Sequence, residues 1–170
     1  MAENMTRASI IIVNYNTYTL LSECLNSIQP VLSEVDEVIV VDNNSTNEKD
    51  RLIPFDFPWV RYFRSEKNVG VGAGNNIGAE MAKGKFLAFI NPDITVTEGW
   101  LDSLIDALES HPQAGMVTPK ILIMQDPTKI NTCGLDVHIS GLSLCRGLEK
   151  TIDNFNMYEE VNAVSGTAYV

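Results

Sequence analysis

The 170 residues suit about one domain with a proper hydrophobic core, and 45% apolar with 20% charged residues is ordinary for a globular chain. A net charge of −10, with 12 Lys and Arg residues in all and no basic run, argues against a nucleic-acid backbone or an anionic membrane as the main partner. A phosphate ligand stays open, because a bound metal and backbone N–H groups can supply a local positive field.

Cys24, Cys133 and Cys145 are odd in number and widely scattered, the pattern of reduced thiols in a cytosolic protein. The opening Met1–Arg7 lacks the basic region, apolar stretch and small-residue cleavage site of a signal peptide. No apolar run approaches the roughly 18–20 residues that span a bilayer. A soluble, cytoplasmic chain is expected, with contact at the inner face of a membrane still open to it.

In chain order, Ser9–Tyr15 is β-branched and continuous, which predicts a strand covered on both faces. Thr19 is a candidate cap for a helix carrying Leu20, Cys24 and Ile28 on one face, closed by Pro30. Val38–Val41 predicts a second buried strand running into the turn residues Asp42-Asn43-Asn44-Ser45. A shorter, more polar strand is expected over Val60–Phe63. Gly70–Gly78 reads as a glycine-rich loop entering a helix that lasts to about Lys83. Phe86–Ile90 predicts a fourth strand. Thr97 is the expected cap of a helix with Trp100, Leu101, Leu104, Ile105 and Leu108 on its apolar face, stopped by Pro112. Gly115–Pro119 predicts a fifth strand; beyond Lys120 the pattern loosens, and Val161–Val170 reads as a strand that stops in mid-element. Strands alternating with helices over the first 120 residues or so imply an α/β fold with a mostly parallel, doubly wound sheet. The expected organisation is a short extension over 1–8, a ligand-binding α/β half over 9–120, and the start of a further region over 121–170.

Function is legible at the strand ends. Asn14-Tyr15-Asn16 follows the first strand, Asp42-Asn43-Asn44 the second and Asn91-Pro92-Asp93 the fourth. In a parallel sheet all three lie at the carboxyl edge, where open α/β folds hold their ligands. A nucleotide needs such a set: an aromatic for its base, a carboxylate for base or ribose, and close backbone for its phosphates. A strand-end carboxylate can also hold a divalent cation, which in turn holds a diphosphate. Two rival phosphate motifs fail. The dinucleotide fingerprint needs a third glycine where Ile77 stands, directly after the first strand, and the P-loop pattern is missing.

The motifs Ile10–Asn16, Val38–Thr46, Asn68-Val69-Gly70 with Gly72–Gly78, and Phe89-Ile90-Asn91-Pro92-Asp93, in that order, resemble the GT-A nucleotide-sugar glycosyltransferases of family 2. The rhamnosyltransferase-like branch is the most similar, since it carries Asn-Pro-Asp where others carry Asp-x-Asp. The resemblance implies that Tyr15 and the backbone around Val13 lie against the nucleobase, and that Asp42 bonds base or ribose. It implies that Asn68, Gly72, Gly74, Asn75 and Asn76 line the nucleotide and donor sugar. Asn91 and Asp93 match the metal–diphosphate motif for Mg²⁺ or Mn²⁺, with Asp93 the direct ligand and Asn91 a neutral, weaker one.

The implied reaction is an inverting transfer from a dTDP- or UDP-sugar to a saccharide or lipid-linked saccharide. The segment Val164–Ala168 resembles the one just before the family's acceptor site, so the catalytic base is expected beyond Val170 and no residue here is assigned to it. Glu159 and Glu160 read as solvated charges and His138 as a locally bonded histidine. Two alternatives stand beside this. A donor-binding module without catalysis is one. A sugar-phosphate nucleotidylyltransferase is the other, against which the first strand ends in Asn14-Tyr15-Asn16-Thr17 and carries no glycine-rich segment.

Overall fold

A computed structural model of the chain describes residues 5–170, so the first half of the expected 1–8 extension lies outside the described residues. The chain divides into two compact units, one up to Gly99 and the other Trp100–Val170.

The first unit runs β1 (Ala8–Asn14), α1 (Tyr18–Ile28), β2 (Asp36–Asp42), α2 (Ile53–Asp56), β3 (Arg61–Arg64), α3 (Val71–Met81) and β4 (Phe86–Ile90). The strands lie in the order β3-β2-β1-β4 with every one of these pairings parallel. β1 is central and buried at every residue, which is why its sequence runs apolar without alternation. The connection from β1 to β2 steps one way along the sheet, and that from β3 to β4 steps back past both. Right-handed crossovers then put α1 and α3 on opposite faces. On one face Ile11, Val13, Ile39 and Val41 pack against Ile77, Ala79 and Met81. Their alternates Ile10, Ile12, Val38 and Val40 are equally buried, as are Leu21, Cys24, Leu25 and Ile28 of α1. The strand order reverses between β1 and β4, so the crevice of this sheet opens there, beyond the strands' carboxyl ends.

Three local expectations are corrected. The cap of α1 is Thr17, not Thr19, and its hydroxyl donates to Asn14 Oδ1 at 2.6 Å instead of to the helix. The glycine-rich segment is helix, not loop: Gly70, at φ 82°, makes the turn, and Gly72, Gly74 and Gly78 lie inside α3. Each interior glycine costs a helix about 1 kcal/mol relative to alanine. Close approach to the sheet offsets that cost at two of them. A Cβ on Gly74 would stand 2.8 Å from Val13 Cγ1, and one on Gly78 2.4 Å from Ile11 Cγ2. The helix also stops at Met81, short of Lys83. The backbone N–H of Lys83 donates to Glu37 Oε1 at 2.7 Å, and that of Gly84 to Ser9 Oγ at 2.9 Å, so side chains take over where helix carbonyls would have served.

The second unit contains α4 (Trp100–Ser110), β5 (Ile121–Ile123), β6 (Asp126–Thr132), β7 (Leu135–Val137), β8 (Ser143–Cys145) and β9 (Ala168–Tyr169). α4 buries Leu101, Leu104, Ile105 and Ala107; it begins after Gly99, at φ 74°, and so three residues past the expected cap Thr97. β5 pairs with β6 and β7 with β8, both antiparallel. The expected strand over Gly115–Pro119 is reduced to one pair, in which Val117 and Val170 exchange two backbone hydrogen bonds of 2.9 Å. The strand expected over Val161–Val170 shrinks to Ala168–Tyr169, because Ser165 Oγ accepts the N–H of Thr167 at 3.3 Å and turns the chain. His138 sits beside the β7–β8 turn, its ring nitrogen accepting the Ser140 N–H at 3.2 Å, and Glu159 pairs with Arg146.

The packing of α3 on the sheet predicts opposite outcomes for two alanine substitutions. Gly78→Ala should destabilise the chain by about 1–3 kcal/mol through overpacking on Ile11. Gly72→Ala, whose Cβ meets nothing within 4 Å, should be neutral or stabilise by up to about 1 kcal/mol. Urea denaturation of the two variants measures the difference.

Candidate functional site

Register alone sets up the carboxyl edge. Asn14 of β1 lies opposite Asp42 of β2, and Asp42 opposite Arg64 of β3, so the last residues of three strands form one row. Ile12 lies opposite Ile90, and Asn91-Pro92-Asp93 therefore leaves β4 at the same edge.

Asp42 is the centre of that row and is fully buried. Its Oδ1 accepts from the Ser45 backbone N–H at 3.0 Å and from the Ser45 hydroxyl. Its Oδ2 accepts from the Tyr62 hydroxyl at 2.9 Å and pairs with the Arg64 guanidinium. Arg64 also donates to Asn44 Oδ1 at 2.9 Å and to the Ser45 carbonyl at 2.8 Å. Burial, then the hydrogen bond to Asp42 and its charge, push the Tyr62 phenol up to about 12. The carboxylate expected to face a base or ribose thus has both oxygens engaged inside the protein. Its task in this structure is to tie the β2 turn to β3.

Asn14, also buried, joins the same frame. Its amide nitrogen donates to Asp50 Oδ1 at 2.7 Å and to Ser45 Oγ at 3.2 Å. Asn16, at φ 59°, donates its backbone N–H to Ser45 Oγ at 2.9 Å, while its side-chain oxygen accepts from the Thr46 and Asn47 N–H groups at 2.7 and 3.0 Å. Between them stands Tyr15, with 44% of its surface exposed over a rigidly bonded turn.

The β2 turn also fixes the approach to α3. Asn43 donates to Asn68 Oδ1 at 3.0 Å and accepts the Val69 N–H at 2.9 Å; Asn68 Oδ1 in turn accepts the Gly70 N–H at 2.9 Å. Asn68 and Gly72 are exposed at this end of the helix, Asn76 is exposed and Asn75 half-buried. Gly74 is buried, and its missing side chain is the space Val13 fills; the Val13 side chain faces the core, leaving only its backbone near the edge. After β4, Asn91 is partly exposed and Asp93 exposed. The Cys24 thiol lies 3.9 Å from the Asn91 carbonyl oxygen, and burial, helped by the Asp93 charge, pushes it up to about 12. Among the described residues no group of three or more His, Cys, Asp or Glu forms a ready-made metal cage. One carboxylate and one amide oxygen suit a cation that takes its remaining ligands from water and substrate phosphates.

Sequence reasoning brought Tyr15, Asp42, Asn68, Asn91 and Asp93 to one edge and missed Tyr62, Arg64, Ser45 and Asp50. A signal for two of these exists: in Arg61-Tyr62-Phe63-Arg64 the second and fourth residues share one face of the strand. Replacing Asp42 by Asn should bring the Tyr62 phenol down from about 12 toward its ordinary value near 10, because the charge that opposes its ionisation is gone. The difference between tyrosinate absorbance titrations with and without Tyr62→Phe isolates that phenol. An unchanged midpoint in Asp42→Asn would contradict the contact.

A family model described as glycosyl transferase family 2 matches residues 9–164. A glycosyltransferase of Haemophilus influenzae is 30% identical over 112 residues, which are 64% of this chain and 37% of that protein. The glucosyl-dolichyl phosphate glucuronosyltransferase of Haloferax volcanii is 27% identical over 121 residues, 66% of this chain and 39% of that protein. The chain therefore spans well under half the length of these relatives. Among solved structures, S. aureus TarS 1–349 in complex with UDP-GlcNAc superposes with a TM-score of 0.59 at 23% identity, covering 68% of this chain and 34% of that one. That likeness shows the fold, a GT-A α/β architecture.

Proposed function

The chain belongs to glycosyl transferase family 2, and on that premise we propose that it carries the donor half of an inverting glycosyltransferase, binding a UDP- or dTDP-sugar at the carboxyl edge of β1, β2 and β4. The observation that carries this reading is the row Asn14–Asp42–Arg64, cross-bonded so that Tyr15 stands exposed between a braced β2 turn and the Asn91-Pro92-Asp93 segment. Tyr15 stacks on the base. The backbone at Val13 and the braced turn around Asp42 border the nucleoside. Asn68, Gly72, Asn75 and Asn76 at the start of α3 line the diphosphate and sugar, with Gly74 letting the helix approach Val13. Asp93, assisted by Asn91, would hold Mg²⁺ or Mn²⁺, and such an ion would supply positive charge for the diphosphate.

In the transfer itself the acceptor hydroxyl attacks the anomeric carbon opposite the leaving nucleoside diphosphate, and a carboxylate base takes its proton. None of the residues above is given that second task. The Asn-Pro-Asp motif favours the rhamnosyltransferase-like branch. The UDP-GlcNAc bound by TarS and the glucosyl-dolichyl phosphate named for the Haloferax volcanii relative support a UDP-sugar donor and a saccharide or lipid-linked saccharide acceptor. Among the described residues no helix is long and apolar enough to cross a membrane. Because the chain spans 37% and 39% of those two relatives, donor binding without transfer is the second reading for the chain alone.

Isothermal calorimetry with UDP and dTDP, each with Mn²⁺ and with chelator, tests this. Binding that tightens with Mn²⁺ is expected, and Asp93→Ala should abolish the metal-dependent gain while leaving the metal-free affinity. No binding of either nucleotide under any condition would sink the proposal.

A further inference from the structure

Asp50 lies in the charged run Glu48-Lys49-Asp50-Arg51, yet it is completely buried. One of its oxygens accepts from the Asn14 amide nitrogen at 2.7 Å; the other is buried without a hydrogen-bond partner. A buried carboxylate with an unmet oxygen is costly to a fold, and such a group calls for a reason beyond stability. We propose that Asp50 is the positioning residue of the nucleoside subsite, acting through Asn14 to set the turn that presents Tyr15.

The chemistry of the contacts carries this. A carboxylate only accepts, so it compels Asn14 to turn its NH₂ group toward Asp50 and Ser45 and its oxygen toward Thr17, whose hydroxyl donates to it at 2.6 Å. Asn14 is thereby held from two sides, and Tyr15 follows it directly in the chain. Ser45 is fixed in the same step. Its Oγ accepts from Asn14 and from the Asn16 N–H, and donates to Asp42. One buried carboxylate thus sets the orientation of the β1 turn and, through Ser45, joins it to the β2 turn that carries Asp42 and Asn43.

The inference rests on the nucleotide-binding reading above, and its test separates the two. In the full chain, Asp50→Ala should weaken UDP binding by roughly tenfold, the scale of one lost buried hydrogen bond. Asp50→Asn, whose amide oxygen still accepts from Asn14, should stay within about threefold of wild type. In the absence of nucleotide, hydrogen exchange of Asp50→Ala should quicken at the Asn16, Thr46 and Asn47 amides while those of Ile10–Val13 and Val38–Val41 keep wild-type protection. Exchange that rises evenly through β1 and β2 would assign Asp50 a merely structural role and overturn the proposal, as would wild-type UDP affinity in Asp50→Ala. Should the wild-type chain bind neither UDP nor dTDP, the donor-site reading fails, and the exchange pattern still decides whether Asp50 sets the turn.

Discussion

A carboxylate buried at the end of a central strand cannot be left alone, and the whole carboxyl edge of this sheet is organised by that requirement. Asp42 is removed from water, so both of its oxygens must be met inside the protein. Ser45 meets one from the following turn; Tyr62 and Arg64 meet the other from the neighbouring strand. Satisfying one charge therefore fixes the path of the β2 turn and the end of β3. Through Ser45 and Asn14 the same demand reaches the end of β1. The edge is stiff because its polar groups are spent on each other.

That stiffness bears on function through what is left unspent. Tyr15, Gly72, Asn76 and Asp93 face solvent around the braced turns. A ligand of mixed character, with a planar base, a polar sugar and a charged diphosphate, finds there a ring, amides, open backbone and a carboxylate already in place. Preorganisation of this kind reduces the cost of ordering the site on binding.

The elements readable in the sequence were those whose partners do not matter. Ile10–Val13 and Val38–Val41 are strands in any buried setting, and the polar residues that end them fall at one edge once the sheet is parallel. What escaped depends on distant contacts. Gly72–Gly78 has the composition of a loop; it is helix because Val13 and Ile11, about sixty residues earlier, occupy the space its side chains would need. Asp42 reads as an available carboxylate because Tyr62 and Arg64 stand some twenty residues away. Asp50 stands among four charged residues with nothing in the sequence to single it out, and only the fold buries it and bonds it to Asn14. In the second unit, Gly115–Pro119 and Val161–Val170 have strand-like composition, but turn formation at Ser165 leaves them a single mutual pair.

The central claim is that a nucleoside diphosphate sits on the carboxyl edge where β1, β2 and β4 end. Hydrogen exchange with and without UDP and Mn²⁺ addresses it most directly, since every segment at that edge carries backbone amides. Added protection confined to residues 14–17, 42–46, 68–73 and 91–93 is expected. Protection elsewhere in the chain, with those segments unchanged, would contradict it.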